Sequence, residues 1–216
     1  MIFFKIKNNF RKYDLQSLLI LKKVIKKMRI FSQNLTKYQI PIPDDSILRI
    51  NLAWCNSIDE LKTLLEKHKD HNIFVDLPIG RTKPPHNNYI FSDIIPILET
   101  YSNIKYFAIS NVNSFNDIKE YIESIPKHVS LVPKIESPEG IKNIEEITNS
   151  LGENKIIMLD HDDLYSNLIK QKELPSKFKE YIKKLIDFCE ENNVQLLRTV
   201  GVVFSDEEKR TTQYMK

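Results

Sequence analysis

The chain has 216 residues, a formal net charge of +3 and two cysteines. This small charge gives no reason to expect a nucleic acid partner. Two cysteines are too few for a disulfide framework, so we expect a reducing compartment, most simply the cytoplasm. No apolar run approaches the ~20 residues of a membrane-spanning helix, so we expect no transmembrane segment. The length fits one domain with a sizeable core.

The first 30 residues differ from the rest of the chain. They hold nine lysines and arginines against one acid, Asp14. Asp14 can cap a helix that carries its apolar residues on one side: Leu18, Leu21, Val24, Ile25 and Met28. Such a helix either meets an anionic membrane or partner, or is an outer helix with a solvated basic face. We treat residues 1–45 as a basic N-terminal segment that packs on a domain formed by residues 46–216.

From residue 46 onward, strand and helix patterns alternate along the sequence. Short apolar runs predict strands at 47–54, 73–77, 106–110, 131–136, 156–159 and 194–200. Helical periodicity predicts helices that begin after residue 57 and at 91–101, 115–125, 138–150, 165–171 and 177–192. This strict alternation indicates a parallel sheet with helices outside.

The alternating pattern predicts an α/β fold, a parallel (β/α) TIM-type barrel. A complete barrel typically needs ~250 residues, so the barrel expected here can be shortened or incomplete. Residues 2–6 and 28–32 are candidates for further strands. Strand edges that remain open pair readily with another chain, and we therefore expect a homo-oligomer.

Carboxylates follow two successive strands of this predicted barrel. Lys134 and Glu136 are two residues apart on a strand, so their side chains point to the same side. The strand at 156–159 is followed by three aspartates: Asp160, Asp162 and Asp163. Neighbouring strand ends that carry carboxylates can hold a divalent cation, so Glu136 and Asp163 are predicted to bind Mg²⁺ or Mn²⁺. The alternative is that these carboxylates cap helices or face solvent.

The stretches PKIESPEGIKNIEEI and IIMLDHDDL carry a resemblance. They are similar to the metal-binding strands of the pyruvate kinase and phosphoenolpyruvate-binding barrel superfamily, which includes the HpcH/HpaI aldolases and citrate lyase β subunits. The lysine before the carboxylate favours the pyruvate kinase branch. The resemblance implies a metal-dependent enzyme that acts on phosphoenolpyruvate, pyruvate or a related 2-oxo acid through an enolate, by phosphoryl transfer or carbon–carbon bond chemistry.

The resemblance also implies catalytic roles for three residues. Lys134 would contact the transferring phosphoryl group and steady the enolate, although it can equally be a structural partner of Glu136. Arg49 would help to hold phosphate, or it is an arginine in a barrel salt bridge. Thr199, at the end of the last predicted strand, would take part in proton handling.

Four further residues are candidates for substrate binding. Asp76 opens a loop similar to the one after the family's third strand, and Arg81 or Lys83 could bind phosphate or carboxylate there. The alternative for both basic residues is loop charge in solvent. Asp162 stands where the family has a glycine that lets the backbone approach the substrate's carboxylate. Its bulk and negative charge would oppose an anionic substrate there.

The sequence departs from the family in other ways. Ala53 and Trp54 occupy positions where the family has monovalent-cation ligands. The loop after residue 77 is followed by the predicted helix at 91–101 and then by the next strand, without the family's lid domain, so we expect no ADP-dependent pyruvate kinase turnover. These departures support an alternative function, a catalytically inactive barrel that serves as a binding or assembly subunit.

Overall fold

The computed structural model describes residues 28–33, 42–81 and 84–198. Its strands are β1 (Ile30–Ser32), β2 (Ile47–Asn51), β3 (Asn72–Leu77), β4 (Ile104–Ile109), β5 (Ser130–Pro133), β6 (Ile156–Leu159) and β7 (Gln195–Arg198). Its helices are α1 (Ile58–Lys67), α2 (Phe91–Thr100), α3 (Lys119–Ser124), α4 (Pro138–Lys142), α5 (Ile144–Ser150), α6 (His161–Lys170) and α7 (Lys177–Glu191).

The strands follow one another in space in the order of the sequence. β1 to β5 form one parallel sheet, and β6 pairs in parallel with β7. A parallel bridge between Lys134 and Met158 connects the two sheets, with the Ile135 amide donating to the Met158 carbonyl at 2.8 Å. The predicted α/β class is therefore confirmed. Within the described residues β1 and β7 do not pair, so no closed barrel is seen.

The two faces of the sheet are buried in different ways. Helices cover one face, where residues such as Leu61, Ile94, Ile147 and Leu185 join strand residues in the main apolar cluster. The other face has its own cluster, whose buried members are Ile47, Phe74, Ala108, Val132, Ile156 and Met158. All of these lie on strands, and they are at most 6% exposed. Strand side chains therefore bury one another on this face, and none of the described helices covers it.

Local hydrogen bonds explain where the elements differ from the sequence prediction. The strand predicted at 47–54 ends at Asn51, because the Asn51 side chain accepts a bond from the Ala53 amide and starts a 3₁₀ turn over Leu52–Trp54. The helix predicted at 165–171 begins at His161 instead. The helix predicted at 138–150 is interrupted at Asn143. The predicted strand at 28–32 is present as β1, whereas residues 1–27 lie outside the described residues.

In the described parts of the chain, no helix combines the length and the apolar character needed to cross a bilayer.

Candidate functional site

A cleft of about 100 Å³ opens at the carboxyl ends of the strands. Arg49 reaches it from β2, Ser110 follows β4, Lys134 and Glu136 follow β5, and Asp160 follows β6. One side is formed by α6, through Asp163, Ser166, Asn167 and Lys170. Parallel sheets present strand ends at one edge, where ligands of α/β proteins bind.

Three carboxylates meet in this cleft. Glu136, Asp160 and Asp163 each offer an oxygen that lies within 4.8 Å of the other two. Glu136 is fully buried, and the two aspartates are partly exposed. Carboxylate oxygens are the ligands that hard divalent cations prefer.

Glu136 is held from several directions. Its Oε2 accepts a bond from the Asn111 amide at 2.9 Å, and its backbone carbonyl accepts one from the Asn167 side chain at 2.8 Å. Its Oε1 lies 2.8 Å from Nζ of Lys134, so the two side chains point to the same side, as the alternation predicts. This contact is an ion pair without hydrogen-bond alignment, and Oε1 has no hydrogen-bond partner.

Buried charges of alternating sign connect β2 to β5 below the carboxylates. Arg49 donates to Oδ2 of Asp76 through Nε at 3.1 Å and also through Nη2. Nζ of Lys134 lies 3.8 Å from the same oxygen and donates to Ser110 Oγ at 3.0 Å. Asp76 is fully buried, so it acts from beneath the cleft, between the two cations.

The protonation states follow from burial and from these neighbours. Burial raises the pKa of Glu136 to about 7; Lys134 opposes this shift and Asp163 adds to it. Burial alone would lower the pKa of Lys134, but Asp76 and Glu136 outweigh it and raise that pKa. Burial also disfavours charge on Asp76, yet Lys134 and Arg49 lower the pKa of this carboxyl. Lys134 is therefore a fixed cation at neutral pH, suited to stabilising negative charge rather than to acting as a base.

Asp160 also lies in the site, although the sequence analysis predicted no binding role for it. Its Oδ1 caps α6 by accepting bonds from the amides of Asp162 at 3.1 Å and Asp163 at 3.4 Å. Asp162, by contrast, is exposed and does not line the cleft. An aspartate directly after an apolar strand and before a helical run is a strong N-cap signal, which could have located it.

The remaining predicted residues lie in or around the loops. Arg81 lines the cleft, but its guanidinium also donates to the carbonyls of Pro85 at 2.8 Å and Pro84 at 3.2 Å. Lys83 and Thr199 lie outside the described residues. Asn111 and Asn167, which hold Glu136, carry no sequence signal because their roles depend on loops brought together by the fold.

The donor set fits a hard divalent cation. It combines three carboxylates, and one of them, Glu136, has a buried oxygen that lacks an aligned hydrogen bond. Burial raises the pKa of Glu136, with a smaller contribution from Asp163, and a bound cation would favour the charged form of both carboxylates. The residues that would hold such an ion are Glu136, Asp163 and Asp160.

No protein-family model and no curated protein matches the sequence. Among solved structures, the crystal structure of RipC from Yersinia pestis is similar, with a TM-score of 0.56 and 12% sequence identity. The match covers 87% of this chain and 86% of the RipC chain. At this identity the likeness shows a shared fold and carries no information about chemistry.

Proposed function

We propose that this chain is a divalent-metal-dependent enzyme acting on phosphoenolpyruvate, pyruvate or a related 2-oxo acid through an enolate. The observation that carries the proposal is the meeting of Glu136, Asp160 and Asp163 within 4.8 Å, beside the buried cation of Lys134. The sequence resemblance described above points to the same residues. The reaction would be phosphoryl transfer or carbon–carbon bond chemistry.

We also propose that the chain folds as a TIM-type barrel, shortened or incomplete. Seven parallel strands in sequential order support it, as does the strand-only cluster around Phe74, Val132 and Met158. A flat sheet would expose such a face unless helices covered it, whereas a sheet that curls buries it on itself.

The residues of the site have separable roles in this proposal. When bound, Mg²⁺ or Mn²⁺ would supply Lewis-acid polarisation of a substrate oxygen. Lys134 is kept protonated by Asp76 and Glu136, so its ammonium can balance negative charge that develops on an enolate. Arg49 is oriented by Asp76 at the edge of the cleft, where it can bind an anionic group.

Metal binding is tested by titrating Mn²⁺ into chelator-treated protein in a calorimeter. Glu136→Gln and Asp163→Asn should each weaken binding by about ten-fold or more, because each removes a charged oxygen ligand. Glu139→Gln and Asp70→Asn remove exposed acids outside the cleft and serve as matched controls. If both cleft variants bind Mn²⁺ as well as the parent, the metal assignment is wrong.

The alternative, an inactive barrel that serves as a binding or assembly subunit, is favoured by one observation. Trp54 is 44% exposed beside the cleft end of β2, and exposed aromatic side chains are common at protein contacts. Oxalate, an enolate mimic, separates the two functions. It should raise the melting temperature of the Mg²⁺-loaded protein if the site is catalytic, and leave it unchanged if only assembly remains.

A further inference from the structure

The N-terminus of α6 is already occupied by a carboxylate of the chain itself. Helix N-termini attract anions because their first amides lack partners within the helix and the helix dipole is positive there. In α6, Oδ1 of Asp160 accepts from the amides of Asp162 and Asp163. An external anion would therefore compete with Asp160 for these donors.

The same carboxylate also faces the candidate cation. Asp160 lines the cleft and offers an oxygen within 4.8 Å of oxygens from Glu136 and Asp163. The buried Oε1 of Glu136 is ion-paired with Nζ of Lys134 at 2.8 Å but has no aligned hydrogen bond, so a lone pair of this oxygen remains for a ligand in the cleft. Since Oδ1 caps the helix, Oδ2 of Asp160 is the oxygen left for a cation.

We propose that Asp160 is a specificity-determining residue, an internal anion that closes the N-terminus of α6 to the carboxylate of a ligand. This proposal rests on the proposed function, and it assigns the orientation of the ligand in that site. A ligand carboxylate at the cation is displaced from the α6 side of the cleft and is held from the opposite side, by Arg49.

The contacts of Arg49 suit it to that task. Its Nε and Nη2 both donate to Asp76, which fixes the plane of the guanidinium. Its side chain lines the cleft with 20% of its surface exposed, and it interacts electrostatically with Asp160 and Glu136 as well as with Asp76. A guanidinium fixed in this way offers its remaining donors to an incoming carboxylate.

Two substitutions of Asp160 separate its hydrogen bonds from its charge. Asp160→Gly removes the carboxylate that accepts from the amides of Asp162 and Asp163, and glycine is tolerated at an N-cap. Asp160→Ser also removes the charge, but its hydroxyl keeps an amide occupied. Oxalate binding is measured by calorimetry on both Mn²⁺-loaded variants and on the parent. Metal-free samples are followed by the melting temperature in formate, a readout that needs neither metal nor activity.

We expect Asp160→Gly to bind oxalate about ten-fold more tightly than the parent, because a helix N-terminus becomes available. Formate should raise the melting temperature of metal-free Asp160→Gly more than that of the parent or Asp160→Ser. The gain in oxalate affinity of Asp160→Gly should exceed the gain of Asp160→Ser by roughly three-fold or more. A smaller difference overturns the proposal, since loss of charge alone would then explain the gain in both variants.

The orientation is tested with Arg49→Lys, which keeps a cation beside Asp76 but loses the fork of donors. It should weaken oxalate binding in the parent background and weaken it less in Asp160→Gly, where the α6 amides share the ligand. Equal losses in both backgrounds would contradict the assigned orientation. If the parent protein fails to bind Mn²⁺, the proposed function is refuted instead. The formate experiment, which needs no metal, would still decide the role of Asp160.

Discussion

Glu136 and Asp76 are two buried carboxyls a few ångströms from the Lys134 ammonium, yet their pKa values are shifted in opposite directions. Asp76 contacts both Arg49 and Lys134, and these cations lower its pKa despite full burial. For Glu136, burial outweighs the ion pair with Lys134 and, with a smaller contribution from Asp163, raises its pKa to about 7. A carboxyl in this state is poised to exchange its proton for a cation near neutral pH.

The raised pKa of Glu136 predicts how stability depends on pH in the metal-free protein. The folded chain holds the Glu136 proton up to about pH 7, whereas the unfolded chain releases it near the ordinary value of 4.5. Stability from this group is therefore fully present below pH 4.5 and is lost as pH rises through 7. We expect the free energy of unfolding of the parent, relative to Glu136→Gln, to fall by roughly 2–3 kcal/mol between pH 5 and 8 in chelator.

The comparison with Glu136→Gln is needed because other groups change in the same window. His68 and His161 have pKa values lowered by burial, so their contribution to stability rises with pH and has the opposite sign. Both histidines are retained in the variant and cancel in the difference. Urea unfolding at pH 5, 6, 7 and 8 measures the difference in free energy of unfolding between the parent and Glu136→Gln. A difference that is constant or rises with pH would contradict the raised pKa of Glu136.

Residue-level prediction from sequence succeeded where it depended on local geometry. Alternation along a strand is enough to place Lys134 and Glu136 on one side. It could not distinguish Asp160 from Asp162, because the residue that faces the cleft depends on where α6 begins. The hydrogen bonds from Arg81 to the carbonyls of Pro84 and Pro85 depend on a loop conformation that no residue pattern specifies.

At the scale of elements, α4 shows how a local signal fixes the site. Ser137 caps the helix by accepting from the Gly140 amide at 3.0 Å, and Pro138 takes the first helical position, as its fixed φ favours. The Ser137 hydroxyl also bonds to Asn113, which ties the start of α4 to the loop after β4. Glu136 is thereby held between a strand end and a capped helix.

Gly140 is required by this close approach, and its replacement tests the arrangement. A Cβ at Gly140 would lie 2.5 Å from the Val112 carbonyl oxygen, a clash with backbone that rotamer changes cannot relieve. Gly140→Ala should therefore destabilise the protein by about 1–3 kcal/mol, even though alanine favours helix more than glycine. Denaturant midpoints measure the change.

Gly152→Ala is the matched control, because nothing lies within 4 Å of a Cβ at that position. It should be neutral or slightly stabilising, since alanine restricts the unfolded chain. Equal midpoints for Gly140→Ala and the parent would show that the loop at Val112 gives way, and that α4 does not fix the position of Glu136.

At the scale of the whole molecule, the parallel α/β class is predictable because short apolar runs and amphipathic helices alternate strictly. Closure of the sheet is not predictable in the same way. It depends on how strand side chains such as Phe74, Val132 and Met158 pack on the face that none of the described helices covers, and on segments at both ends of the chain. No periodicity within a single strand reports these long-range contacts.

The open edges lead to the last prediction, which concerns assembly. Among the described residues β1 pairs only with β2, and β7 only with β6, so no described strand lies on the other side of either one. Such edges are covered by other parts of the chain or by a second copy. We expect a homo-oligomer, most simply a two-fold dimer, with residues 1–45 contributing to the contact.

Light scattering should report a dimeric mass at about 100 µM, and deletion of residues 1–27 should lower that mass to the monomer's. A monomeric parent whose melting temperature is unchanged by the deletion would contradict this expectation. A monomeric parent that unfolds on deletion would also contradict it, and would show that the basic segment completes the core of its own chain.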